Sequence, residues 1–471
     1  MKKKLISLIL SMAMVSTLLA GCGSSNTGNT QTDTNDQAQT EQPADTAEAP
    51  ADNGAESSDG RVYYLNFKPE VAEIWEELAA KYQEETGTPV KVVTAASGTY
   101  EQTLKSEVAK SEAPTLFQIN GPVGYESWKE YCLDLSGTEL YSWLLDPSLA
   151  VSNDSGAYGI PYVVEGYGII YNNAIMDKYF ALDGAKAASM AEINNFAVLK
   201  EVVEDMTARK DELGIDGVFA STSFAPGEDW RWQTHLANLP IYYEFKEKGI
   251  SDTEEIALTY AEQYKNIFDL YINNSVVAPT LVGSKTVEDS MAEFALGKAA
   301  MVQNGNWGWG QINGVDGNVV SEADVKFLPI YTGVSGEEGQ GLCTGTENFF
   351  CINSQVSEAD QQASIKFVEW VFSSDIGKDY VTNKLGFIAP FSTFEDDEKP
   401  TDPLAQEVIN YMADSSKTSV SWNFTAFPSQ EFKNQLGAAL LNYAQGTGEW
   451  DEVISKFVDG WAAEKASPTA E

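Results

Sequence analysis

The chain has 471 residues and carries 70 acidic against 30 basic side chains, for a formal net charge of −40. A surface this acidic repels a phosphate backbone, so no nucleic acid partner is expected. With four cysteines, one of them at position 22, and a single histidine, the chain offers no disulfide framework and no His or thiolate cluster for zinc or iron. No cofactor is expected, His235 reads as an ordinary core or surface residue, and a bridge between Cys343 and Cys351 stays open.

The chain starts with the charged stretch MKKK and continues through a largely apolar Leu5–Leu19 that ends in small residues. That run is short for a membrane span and has the flanks of a secretory signal. LLAGC, Leu18–Cys22, is similar to a bacterial lipobox, whose cysteine becomes the lipidated N-terminus. Residues 1–22 therefore read as a lipoprotein signal peptide, with Cys22 lipidated and the protein held at a membrane face without spanning it. Residues 23–60 hold eight acids, no Lys or Arg and almost nothing to bury, as expected of a disordered tether. The leader's three lysines and those eight acids leave −35 on the remaining body, which is long enough for two lobes with proper cores.

The body opens with RVYYLNF, a strand by its apolar content. In PEVAEIWEELAAKYQEETG, the residues Val71, Ile74, Trp75, Leu78, Ala79 and Tyr82 recur at three and four and fall on one helical face. Pro69 suits its first turn and Gly87 its C-terminal cap. A strand PVKVVTA, a helix from Thr99 and a strand TLFQI ending at Ile119 follow. This β-α-β-α-β order predicts an α/β fold with a parallel, doubly covered sheet, which places ligands beyond the carboxyl ends of its strands. Three loops lie there: NFKP with Phe67 and Lys68, ASGTY with Ser97 and Tyr100, and NGPVGY with Asn120. Their Gly, Asn and Ser are equally ordinary turn chemistry.

Further along, Ala157–Asn173 is strand-rich, and helices are expected over Phe196–Arg209 and Thr253–Asn273. Between them a short strand leads into a loop with Trp230 and Trp232. A helix over Ser290–Met301 should precede VQNGNWGWGQI, and ENFFCINS reads as a strand. ASIKFVEWVFSSDIGKDYV is an amphipathic helix, followed by GFIAPFS and C-terminal helices; no internal repeat is present.

Five segments in order carry a resemblance: PVKVV, APTLFQING, YGIPYVVEGYGIIYNN, FALGKAAMVQNGNWGWGQI, and IKFVEWVFSSDIGKDYV with GFIAP. Each is weak alone. Together they span nearly the whole body, which resembles the extracellular solute-binding proteins of ABC importers, in the carbohydrate-binding family that includes the maltose-binding protein. The resemblance implies a two-lobe, periplasmic-binding-protein-like fold with a ligand cleft between the lobes. It implies an N-lobe of 61–137 and 352–387 and a C-lobe of 138–351 and 388–471. It further implies an oligosaccharide ligand, an ABC permease as partner, and a monomer outside the cell.

A sugar ring has an apolar C–H face and a hydroxyl rim, so aromatic side chains stack on it and planar polar groups bond its edge. The resemblance puts Trp307, in NGNWGW beside Asn306, at a sugar-stacking position, and Trp309 in packing. It puts Asp229, Trp230 and Trp232 in a carboxylate-plus-aromatic ligand loop, and Lys68 at a polar contact. Glu165 and Tyr167 fall near a hinge. Glu347 and Asn348 precede the strand returning to the N-lobe, and Trp422 lies in a C-terminal segment that often adds an aromatic. Tyr171 reads as structural.

Two other classes remain open. A glycoside-acting enzyme needs only two carboxylates, but no pair is singled out, and G-x-S-x-G, P-loop and strand-linked G-x-G-x-x-G motifs are missing. The same fold also admits a polyamine, a metal chelate or a peptide; the tryptophan-rich loops favour sugar.

Overall fold

The computed structural model describes residues 60–466 except 96, 97, 222 and 396. The signal peptide, Cys22, nearly all of the proposed tether and the candidate Ser97 thus lie outside the described residues.

In chain order the strands are β1 (Val62–Asn66), β2 (Val90–Thr94), β3 (Leu116–Asn120), β4 (Val151–Asn153), β5 (Gly156–Pro161) and β6 (Glu165–Asn172). Then come β7 (Gly217–Phe219), β8 (Ala299–Gly305), β9 (Val325–Leu328), β10 (Gln340–Gly345), β11 (Asn348–Ile352) and β12 (Thr418–Ser421). They form two sheets, ordered β2-β1-β3-β11-β5-β4 and β12-β10-β6-β8-β7, with β9 also pairing to β6. The expected β-α-β-α-β opening is present, with β1 parallel to both β2 and β3. β11 then runs antiparallel to β3 and β5, so the first sheet is mixed.

Local chemistry accounts for the opening helix. Trp75, Leu78, Ala79 and Tyr82 of Ala72–Thr86 are buried, and Gly87 closes it at φ 76 with its N–H donated to the Gln83 carbonyl. The first lobe's core gathers Tyr64, Trp75, Phe350 and Phe372 around the first sheet. A larger core beside the second sheet holds Trp232, Phe268, Trp450, Phe457 and Trp461.

Several expected boundaries move. The helix over Ser290–Met301 stops at Ala295, Gly297 turns the chain at φ 68, and Ala299 already begins β8. The helix expected from Thr253 starts only at Ala261. Before it, the Glu244 carboxylate accepts from the Ala257 and Thr259 amides at 2.8 and 2.9 Å and holds the chain in a non-helical turn. The segment after Trp230 is not a loop but a π-type helical turn, Arg231–Leu236.

The lobe crossings also differ from the boundaries the resemblance implies. β4 and β5 lie in the first sheet, so the first crossing falls between Pro161 and Glu165 rather than near Gly137. The chain returns between Gly345 and Asn348, a few residues before Ile352. Phe391 and Phe394 still pack on the first core, which puts the last crossing beyond Phe387. Cys132, Cys343 and Cys351 are buried and free. Cys343 and Cys351 belong to different sheets, and the Cys351 thiol donates to the Tyr158 carbonyl at 3.0 Å. No helix among the described residues is long and apolar enough to cross a membrane.

Candidate functional site

The two sheets point β3 and β11 on one side, and β6, β8 and β10 on the other, at a shared seam. The lobes touch across it. Lys68 Nζ, from the loop after β1, donates to Glu165 Oε1 at the start of β6, at 2.8 Å. Both side chains are buried. Burial works against the Lys68 charge, but Glu165 and Glu70 outweigh it and hold the ammonium above its usual range. Helix Gly121–Trp128 meets the turn Phe424–Ala426, where a Cβ on Gly121 would stand 3.0 Å from Thr425 Cβ.

On the second lobe, neighbouring strand ends build an aromatic floor. Gly305 of β8 and Gly345 of β10 lie opposite Tyr167 and Glu165 of β6. A Cβ at Gly305 would run into the Trp307 ring, and one at Gly345 would stand 2.6 Å from Trp422. Glycine is therefore required where each indole lies down on the sheet. Between them His235 stacks on Tyr167, with centroids 4.3 Å apart and planes within 9°. His235 lies 5.5 Å from Trp307 and 6.1 Å from Trp422. The wide π turn brings Trp230 within 4.8 Å of His235, and Trp230 reaches Trp307 at 6.0 Å.

Polar atoms without partners concentrate here. The Trp307 and Trp422 indole N–H groups, Asn120 Oδ1, Asn348 Oδ1, Thr346 Oγ1, His235 Nδ1 and both terminal nitrogens of Arg231 are buried and make no hydrogen bond. Asn120 and Asn348 are cross-strand partners at the carboxyl end of β3. Buried polar atoms are ordinarily paired, and a group of them along one seam marks where a polar ligand belongs.

Trp307, Trp230, Trp422, Asn120, Asn348, Lys68, Glu165 and Glu347 are brought together at the seam. Tyr167 and Asn306 lie beneath it and are spent on structure: the Tyr167 hydroxyl donates to the His235 carbonyl at 2.8 Å, and Asn306 Oδ1 accepts from the Gly166 amide at 2.9 Å. Asp229 packs against Gly437 and accepts from Gln233 Nε2 at 2.9 Å. Burial lifts its carboxyl to about 6.

Two candidates are corrected outright. Trp232 is a core residue: it stacks on Phe224 at 4.7 Å and its indole donates to the Ser223 carbonyl at 3.0 Å. Tyr100 is buried in the first lobe, where its hydroxyl accepts from the Gln118 amide at 2.7 Å and donates to the Leu65 carbonyl at 3.4 Å. Phe67 is half-buried, edge-on to Tyr100 at 5.2 Å.

The sequence model of a family described as bacterial extracellular solute-binding protein matches residues 77–407. The chain belongs to that family. No curated protein matches it by sequence. Among solved structures, this binding protein resembles a chitin oligosaccharide binding protein at 16% identity and TM-score 0.67, over 88% of this chain and 100% of that one. It resembles the GacH receptor of Streptomyces glaucescens at 17% and 0.66, over 87% and 99%. For RafE from Streptococcus pneumoniae the values are 16% and 0.61, over 87% and 99%. At such identities the likeness concerns the two-lobe α/β fold.

Four residues at the binding protein's seam are not among the sequence candidates. His235, a buried residue, is kept neutral, well below its usual range, by burial with Arg231, Lys68 and Lys433 nearby. Thr346 adds a hydroxyl beside Glu347. Arg231 and Lys433 are buried cations that pattern alone does not distinguish from surface charge. Burial pushes the Lys433 ammonium down while Glu347 pulls it up, and burial pushes Glu347 up while Lys433 and Lys68 pull it down. A missing salt bridge is a structural signal with no counterpart in the sequence.

Proposed function

We propose that this binding protein captures an oligosaccharide outside the cell, is held at the membrane by a lipid on Cys22, and delivers its ligand to an ABC permease. The observation that carries the reading is the pair of indoles, Trp307 and Trp422, laid on Gly305 and Gly345 with their N–H groups unpaired. An apolar ring face with a free donor at its edge suits a sugar's C–H face and hydroxyl rim. Asn120 and Asn348 across the seam supply acceptors for further hydroxyls. Binding proteins of chitin oligosaccharide and of raffinose share the fold and lend the class support.

In this reading the Lys68–Glu165 pair and the Gly121–Thr425 contact belong to the closed arrangement, which the ligand stabilises by filling the seam. The permease reads closure, and ATP is spent on its side of the membrane. The protein acts as a monomer and catalyses nothing. A polyamine ligand is disfavoured because the seam already buries Arg231 and Lys433.

A calorimetric screen against oligosaccharides of starch, xylan, mannan and galactosides tests the proposal. Binding of at least one class with micromolar or tighter affinity is expected; heat from none of them overturns the carbohydrate reading. Replacing Cys22 with Ala should release the protein into the medium, and retention at the membrane would contradict the anchor.

A further inference from the structure

Arg231 is 1% exposed. Its Nε donates to Asn304 Oδ1 at 3.2 Å, and its guanidinium carbon stands 3.9 Å over the Trp230 ring. Both terminal nitrogens are buried without a partner. The acids around it are engaged elsewhere: Glu228 Oε2 accepts from the Val287 amide at 2.6 Å, Glu70 lies 3.7 Å from Lys68 Nζ, and Asp229 holds Gln233. No salt bridge joins Arg231 to any acid among the described residues. Burial with no contacting counter-charge pulls its pKa down to about 9, with Glu228 and Glu70 pulling the other way. Lys433, 7% exposed on the helix Gln430–Ala444, likewise has no salt bridge among the described residues.

A buried cation without a counter-charge is strongly disfavoured, and an anionic group on a ligand would supply the one missing here. Hydroxyls would satisfy its N–H groups but leave its charge uncompensated. Nη1 and Nη2 together form the fork that takes both oxygens of a carboxylate, a match that Lys does not offer. The guanidinium covers one face of Trp230 at 3.9 Å, and Trp307 stands 6.0 Å from that ring, so an aromatic surface for a sugar ring adjoins the fork.

Building on the oligosaccharide reading, we propose that the ligand is acidic: a uronate residue whose carboxylate pairs with Arg231 while its ring rests on the Trp230–Trp307 surface. The body's own negative charge gives such a ligand no help in approach, which makes the buried cation the element that selects it.

The test is calorimetry on the full mature chain with matched pairs: oligogalacturonide beside galacto-oligosaccharide, and glucuronate-bearing xylan fragments beside plain xylo-oligosaccharides. The wild type should bind the acidic member of at least one pair on the order of 10- to 100-fold more tightly, the range of a charge-assisted hydrogen-bonded pair. Arg231→Gln should abolish that preference, and Arg231→Lys should keep only part of it. Melting curves establish that each variant is folded, and the Lys variant serves if the Gln variant is not. Neutral sugars binding as well as their acidic counterparts would overturn the uronate assignment and leave the oligosaccharide reading standing. A preference that survives Arg231→Gln would overturn the role of Arg231. Failure of both members of every pair would overturn both proposals.

Discussion

Tyr100 and Trp307 occupy corresponding places on the two lobes. Each follows a strand and stands at the start of a helix, Tyr100 as the first residue of Tyr100–Val108 and Trp307 just before Gly308–Asn313. Tyr100 is bonded on both sides of its hydroxyl, to Gln118 and Leu65, and belongs to its lobe's core. Trp307 lies on a glycine with its N–H unused. The same contrast separates Trp232, whose indole is spent on Ser223, from Trp422, whose indole N–H makes no hydrogen bond. Between these candidates the difference is whether the polar atom already has a partner.

That contrast can be broken in several ways. Trp232→Ala removes a fully buried ring and should cost about 3–5 kcal/mol of folding stability in urea, with any surviving affinity little changed. Lys68→Met leaves Glu165 buried and alone. A loss of about 3–5 kcal/mol is expected, and because the pair spans the lobes it should appear as weakened ligand binding more than as a lower unfolding midpoint. Gly305→Ala pushes a methyl into the Trp307 ring. Overpacking of about 1–3 kcal/mol should reduce affinity while leaving the second lobe's core intact, and unchanged affinity would show that the indole need not lie on the sheet.

The smallest effect concerns Asp229. Its folded carboxyl titrates near 6, above the ordinary 3.8, so the folded state holds a proton that the unfolded state has released between those values. Stability therefore falls as pH rises through this window, the reverse of a salt-bridged acid. Asp229→Asn should gain roughly 1–2 kcal/mol over wild type at pH 7 relative to pH 4. Parallel urea curves at the two pH values would expose a wrong sign.

The opening β-α-β-α-β, the two-lobe fold and the family were legible because amphipathic spacing and five ordered motifs survive without any contact information. The first crossing was not, since β4 and β5 join the first sheet through long-range pairing with β11. The gathering of Trp307, Trp230, Trp422, Asn120 and Lys68 was legible as loop chemistry plus resemblance. Trp232 and Tyr100 read the same way in sequence, yet their hydrogen bonds to Ser223, Gln118 and Leu65 withdraw them from the seam. Arg231 sits between two tryptophans in DWRW and is not legible there, because an arginine is ordinary until its counter-charge proves absent.

The most direct measurement is a calorimetric titration of Trp307→Ala with an oligosaccharide that the wild type binds. The expected result is a folded protein with an unchanged melting midpoint and an affinity lower by about 1–3 kcal/mol, the scale of a buried aromatic contact. A folded Trp307→Ala protein with wild-type affinity would contradict it.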